Sequence, residues 1–220
     1  MGRAEALIAL RQDLSAVPDL ELMDEPAELQ RHSRDAFEYS PVLTPRLEAC
    51  RAELVVRART VDAVERLASA CAEHQVPLTL RGSGTGNYGQ CVPLQGGVVM
   101  LTTALRQIRS IDPATGVVTV ELGCVMRDLD QELRRHGRQL RLMPSTWRSA
   151  TIGGFVAGGS GGIGSLRWGF LRDPGHLLAL EVVTLEAEPR ILRLEATDAE
   201  ALVKFLQGAG HPALTMPPLM

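Results

Sequence analysis

At 220 residues and 23.8 kDa the chain is long enough to bury a full core, and 45% hydrophobic with 22% charged residues is an ordinary globular balance. The net charge of −3 supplies no general field for nucleic acid or an anionic membrane, and no run approaches the roughly 20 apolar residues of a spanning helix. Of the 23 basic residues only Lys204 is a lysine, which removes a Walker A loop and leaves Schiff-base chemistry one residue in a plain amphipathic stretch.

The opening Met1-Gly2-Arg3-Ala4-Glu5-Ala6 lacks a basic-then-apolar leader, so a cytoplasmic protein is expected. Residues 4–14 predict a short helix with Leu7, Leu10 and Leu14 on one side. Residues 15–50 carry Pro18, Pro26, Pro41 and Pro45 and predict an irregular wrap. A strand at 54–57 comes next. Thr60 then caps a helix whose inner face is Val64, Leu67, Ala68 and Cys71. Strands at 76–80 and 98–101 flank a glycine-rich loop at 82–89, giving a small parallel βαβ unit.

Beyond residue 112 the pattern changes. Strands at 108–111 and 117–122 form a hairpin about Asp112-Pro113-Ala114-Thr115-Gly116. A helix with Met126, Leu129 and Leu133 inward ends in Arg134, Arg135, His136 and Gly137. A glycine-dense stretch runs from 153 to 169. A second hairpin turns at Glu188-Pro189, and a helix over 198–207 and a proline-bearing tail close the chain. The expectation is α+β in two lobes meeting near residue 112, the second with a largely antiparallel sheet and flanking helices. Cys50, Cys71, Cys91 and Cys124 include no C-x-x-C pair, so reduced thiols are expected and no metal site.

Two glycine patterns imitate other chemistry. Gly84-Thr85-Gly86-Asn87-Tyr88-Gly89 fits G-x-G-x-x-G, but Pro93 and Gly96-Gly97 leave no room for the helix that a Rossmann fingerprint must open. Gly159–Gly164 fits the same pattern without a convincing strand before it. Gly158-Gly159-Ser160-Gly161-Gly162 fits the nucleophile elbow, with Asp173 and His176, or Asp198 and His211, in triad order. A helix opening on Gly161, Gly162 and Gly164 would lose about 1 kcal/mol per glycine, so a serine hydrolase using Ser160 is kept only as an alternative. Arg81-Gly82-Ser83-Gly84-Thr85-Gly86-Asn87 instead suits a nest of backbone amides that holds a pyrophosphate without lysine; a plain Gly/Asn turn explains this loop alone equally well.

The rest of the chain distinguishes these. Leu54-Val55-Val56, Pro77 before the loop at Arg81, Gly96-Gly97-Val98-Val99, Ile111-Asp112-Pro113 and residues 118–123 come in order. Pro144-Ser145, Ala150-Thr151-Ile152-Gly153-Gly154, Gly161-Gly162, Arg167-Trp168-Gly169 and Leu180-Glu181-Val182-Val183 come after them. In this order they resemble the FAD-binding PCMH-type family, which includes vanillyl-alcohol oxidase, D-lactate dehydrogenase and the glycolate oxidase FAD subunit.

The resemblance implies a two-lobed FAD-binding domain at 51–207 (lobes about 51–112 and 113–207), preceded by the N-terminal helix and irregular wrap of residues 1–50 and followed by a tail at 208–220, with the substrate domain absent. It implies that Gly82, Ser83, Gly84, Thr85, Gly86 and Asn87, beginning at Arg81, hold the pyrophosphate. Pro144, Ser145, Thr151, Ile152, Gly153 and Gly154 would line the ribityl chain and diphosphate. Ala157, Ser160 and Gly161 would run beside the flavin ring, and Val182 would meet the adenine side. Thr85 stands where some members carry a tethering histidine, so non-covalent FAD is implied. The implied reaction is hydride transfer from an alcohol or 2-hydroxy acid carbon to flavin N5. No catalytic residue is assigned; Arg167 and Arg172 are candidates for a substrate carboxylate. A truncated product, a fragment, a subunit completed by a companion chain or a homo-oligomer, and a non-catalytic flavin-binding electron carrier all stay open.

Overall fold

The computed structural model describes residues 2–37, 41–159, 161–171 and 173–195. The helix expected at 198–207, the tail, Ser160 and Arg172 lie outside the described residues.

The first lobe is built on a four-stranded sheet. Its strands are β1 (Leu20–Met23), β2 (Leu54–Ala58), β3 (Leu78–Arg81) and β4 (Val98–Leu101), in the order β1-β2-β4-β3. β4 runs parallel to both β2 and β3, while β1 pairs antiparallel along the outer edge of β2. Leu54, Val55, Val56, Val98 and Val99 are fully buried, as a strand covered on both faces requires. Helix α4 (Val61–Glu73) starts at Thr60, whose hydroxyl accepts from the Ala63 amide at 3.2 Å. It buries Ala63, Leu67, Ala68, Ala70 and Cys71, while Val64 is only partly covered. Helix α1 (Arg3–Ser15) lies against it through Ala6, Leu10 and Leu14. Each fully buried leucine contributes on the order of 1.5–3 kcal/mol.

The segment expected to be an irregular wrap is partly ordered, which corrects that expectation. It holds β1, then α2 (Pro26–His32) and α3 (Thr44–Glu48). Pro26 and Pro45 sit in the first turns of these helices, where a missing N–H costs nothing, so they start structure rather than break it. β1 exists because β2 offers it an edge, and Glu21 on it pairs with both Arg57 and Arg59.

The second lobe holds two antiparallel ladders rather than one continuous sheet among the described residues. β5 (Ile108–Ile111) pairs with β6 (Val118–Val120) across a turn in which Asp112 accepts from the Ala114 amide and the Thr115 hydroxyl. β7 (Ala179–Val183) pairs with β8 (Ile191–Glu195). Between them lie α5 (Met126–Arg135), α6 (Ile152–Ala157) and α7 (Ser165–Trp168). α5 buries Met126, Leu129 and Leu133 as its periodicity predicts, together with Asp130, whose carboxylate accepts from Arg134 at 2.7 Å and from the Leu140 amide at 3.0 Å. Two short helices inside the glycine-dense stretch were not expected. α6 forms because Thr151 caps it and because the Ile152 and Gly153 amides donate to Cys124 and Leu122 carbonyls, at 2.9 and 2.8 Å. β7 packs on α4, and Ser69 donates to the Ala187 carbonyl at 2.6 Å, so the lobes touch through that helix.

Candidate functional site

The loop after β3 is where the two glycine runs meet. A side chain of even one carbon at Gly82 would overlap the hydroxyl of Thr151, the cap of α6. These positions are 69 residues apart in sequence (151 − 82 = 69), and the fold closes that gap to van der Waals contact. Gly84 adopts φ +67°, a left-handed conformation that L side chains rarely accept, and a Cβ there would overlap the Arg81 guanidinium.

Among the described residues, no amide from Ser83 to Asn87 donates a hydrogen bond. The bond this stretch does make is accepted: the Gly84 carbonyl takes the Ala36 amide at 2.7 Å. Gly84 is buried, and Ser83, Thr85 and Gly86 are half-buried. Unpaired amides in covered backbone cost free energy unless something accepts from them. Successive N–H groups left open beside a left-handed glycine fit an anionic ligand approached by backbone.

The second run behaves differently. The Ile152, Gly153 and Gly154 amides are all engaged, the last with the Thr151 hydroxyl at 3.3 Å. This run therefore offers close approach and a fixed surface rather than open donors. Thr151 itself is buried, Ile152 and Gly153 are half-buried, and Gly154 and Ala157 are exposed. Pro144 and Ser145 come directly after Met143, which bridges to Ile163, and Gly162 is pressed against the Met143 carbonyl so closely that no Cβ fits. Gly161 is thus one residue from the contact with the 143–145 turn, whereas Ser160 is outside the described residues. Val182 is in β7, the strand that packs on α4, and is paired with Leu192.

Arg81, the last residue of β3, is 7% exposed and donates to Cys91 Sγ at 2.9 Å. Cys91 in turn donates to Asp35, whose other oxygen accepts from the Gly89 amide at 2.9 Å. Sequence reasoning missed Asp35 and Cys91. Asp35 falls in the segment read as irregular, and no spacing rule links it to a residue more than fifty positions away. Burial pushes the Cys91 thiol up to about 12, with the Asp35 carboxylate adding to it and Arg81 opposing, so the sulfur keeps its proton.

Asp173 and His176, the nearer partners of a triad on Ser160, are turned to local backbone. Asp173 accepts from the Phe170 amide at 2.7 Å, and the His176 ring bonds the Trp168 carbonyl at 2.7 Å. Arg167 and Arg141 stack on the Trp168 ring at 4.8 and 5.2 Å, and among the described residues neither pairs with a carboxylate. A shallow depression of about 420 Å³, lined by Arg106, Ile108, Ser110, Ile111, Glu132 and His136, includes none of the glycine-run residues. No helix among the described residues is long and apolar enough to cross a membrane.

Known proteins resemble this chain in sequence and in fold. The chain is similar to the glycolate oxidase subunit GlcD of Bacillus subtilis, with 34% identity over 145 residues, covering 66% of this chain and 30% of that protein. It is 30% identical to the GlcD of Escherichia coli K12 over 202 residues, covering 90% and 37%. Similarity to the D-lactate dehydrogenase of Anaerostipes hadrus is 32% over 147 residues, covering 67% and 30%. The fold superposes on an alkyldihydroxyacetonephosphate synthase structure with a TM-score of 0.69 at 21% identity, over 89% of this chain and 36% of that one. The chain spans about a third of the length of these curated relatives. Residues 52–194, well over half of the chain, match the family model described as FAD binding domain, and the chain belongs to that family, of the PCMH type.

Proposed function

We propose that residues 51–207 form an FAD-binding domain, with lobes at about 51–112 and 113–207, that serves an oxidoreductase acting on a hydroxy acid or alcohol. The observation that carries this reading is the row of open amides from Ser83 to Asn87 beside the contact between Gly82 and Thr151. Those amides would hold the pyrophosphate of FAD, bound without a covalent tether since Thr85 stands in the loop. Thr151 to Gly154, Pro144 and Ser145 would form the wall along its ribityl chain. Ala157, Ser160 and Gly161 would lie beside the ring, with Val182 on the adenine side.

When bound, the flavin supplies hydride acceptance at N5. This chain's own residues bind and orient it. Several relatives are named for glycolate, D-lactate or D-2-hydroxyglutarate, which makes 2-hydroxy acids the substrate class to test. Ile163, Leu166 and Phe170 are exposed along the glycine-dense segment, Leu166 completely. Further protein, from a companion subunit or another copy, would cover such a face and supply the substrate contacts. The domain on its own would then turn over poorly.

Purified protein incubated with FAD should show the flavin visible bands, and acid precipitation should release all of the flavin to the supernatant. Yellow colour in the precipitate would refute non-covalent binding. No uptake of FAD under native conditions would refute the whole reading. Oxidation of D-lactate, glycolate and D-2-hydroxyglutarate with a dye acceptor then tests the substrate class.

A further inference from the structure

The segment before β2 reaches the glycine loop by a chain of bonds that ends at Asp35. Ser33, 1% exposed, fixes the start of this segment: its hydroxyl donates to the Leu29 carbonyl at 2.6 Å and accepts from the Ala52 amide at 2.8 Å. Two residues on, Asp35 accepts from the Gly89 amide with one oxygen and from the Cys91 thiol with the other. The same sulfur accepts from Arg81, whose guanidinium lies beneath Gly84. A Cβ at Gly86 would stand 3.4 Å from the Asp35 carboxylate, so Asp35 also borders the far side of the loop. The Ala36 amide closes the circuit on the Gly84 carbonyl at 2.7 Å.

These bonds tie the loop at Arg81, Gly84, Gly89 and Cys91 while leaving the amides between Ser83 and Asn87 open. The charges of Arg81 and Asp35 oppose one another across a neutral thiol, so the cluster adds little net charge to the site. Its effect is on shape. A loop already held in its left-handed turn loses less conformational freedom when a ligand arrives.

We propose that Asp35, Cys91 and Arg81 are positioning residues, a buried Arg–thiol–carboxylate relay that presets the glycine loop for the FAD pyrophosphate without touching it. The proposal rests on the reading of that loop given above. In it Cys91 acts as a hydrogen-bond relay, donating and accepting at once, and has no redox duty.

The test uses substitutions that leave every charge in place. Cys91→Ala removes the relay, and Asp35→Glu keeps the carboxylate but moves it by one methylene. Cys91→Ser restores a group that both donates and accepts. Asp35→Asn is avoided because it would leave Arg81 uncompensated, and added positive charge favours an anion by itself. On the full chain, FAD dissociation constants would be measured by flavin fluorescence, and hydrogen exchange of residues 83–91 in the absence of FAD.

Cys91→Ala and Asp35→Glu should each weaken FAD binding at least tenfold and speed exchange across the loop. Cys91→Ser should stay within about threefold of the parent, and the ratio of variant to parent should be the same at 50 and 300 mM salt. If the parent binds FAD and Cys91→Ala binds it equally well with unchanged loop exchange, the relay proposal is overturned while the loop reading stands. Serine binding no better than alanine also overturns it. If the parent itself takes up no FAD, the loop reading fails and this proposal with it. A variant that does not fold is recognised by its far-ultraviolet circular dichroism, and the Cys91 pair, differing in one oxygen atom, then decides.

Discussion

Gly82→Ala tests the junction between the two glycine runs. The added Cβ overlaps the Thr151 hydroxyl, and Thr151 cannot turn away cheaply because it is 2% exposed and caps α6 through the Gly154 amide. Losing that cap costs about 1 kcal/mol, and forcing a methyl into a packed contact costs about 1–3. The expected destabilisation is about 2–4 kcal/mol, which for a chain of this size lowers the melting temperature by roughly 4–16 °C. Thr151→Ala alone loses only the cap, about 1 kcal/mol. In the double variant the nearest remaining atom to the new methyl is the Cβ of residue 151, at 3.5 Å, an ordinary contact. The pair should therefore cost little more than Thr151→Ala by itself, a coupling of about 2–4 kcal/mol. Urea unfolding of the four proteins, without FAD, completes the cycle. Additive costs in the double variant would refute the contact, and a costless Gly82→Ala would refute the placement of the loop on α6.

Other expectations rest on single features. Gly97→Ala meets the Pro77 carbonyl at φ +77°, a backbone obstacle that no side-chain trimming relieves, and should destabilise more than Gly82→Ala in the same urea assay. Leu67→Ala opens a fully buried site between α4 and the sheet and should cost about 2–5 kcal/mol by denaturant titration. Burial, and next the nearby Arg81, hold His32 below its ordinary value of 6.5, against a smaller opposing pull from Glu28. The unfolded chain then binds the proton first: this part of the stability is full above pH 6.5 and is lost as pH falls through the window beneath it. Melting temperatures at pH 7.5 and 5 should differ less in His32→Gln than in the parent, and an identical pH dependence would refute this.

The fold was legible wherever a strand or helix carries its own apolar pattern. Residues 54–57, the face of α4 and the inner side of α5 were read from spacing alone, because burial there is set by local pattern. β1 was not legible, since four residues become a strand only by borrowing the edge of β2. Pro26 and Pro45 read as punctuation, and whether a proline ends or begins a helix depends on the residues after it. Asp130 had a detectable signal: it stands beside Leu129 and Leu133 in the same inward stripe, where a carboxylate must be satisfied. Of the site, the glycine loop was legible as a motif. That its amides are open while those of Ile152 and Gly153 are spent was not, because that difference is decided by Cys124 and Leu122 across the fold.

The position of β4 also sets an order of events during synthesis. It is the last strand of its sheet to be made, yet it lies between β2 and β3 and is the parallel partner of both. β1, β2 and α4 can assemble as they emerge, but β3 has no neighbour until residues 98–101 have left the ribosome. From Arg81 to Leu101 is 101 − 81 = 20 residues, about 1–4 s at roughly 5–20 residues per second. During that interval the newly made glycine loop hangs from an unpaired strand end. That loop is thus among the last parts of the first lobe to take shape, and a nascent chain stalled before residue 98 carries it on a strand without a neighbour.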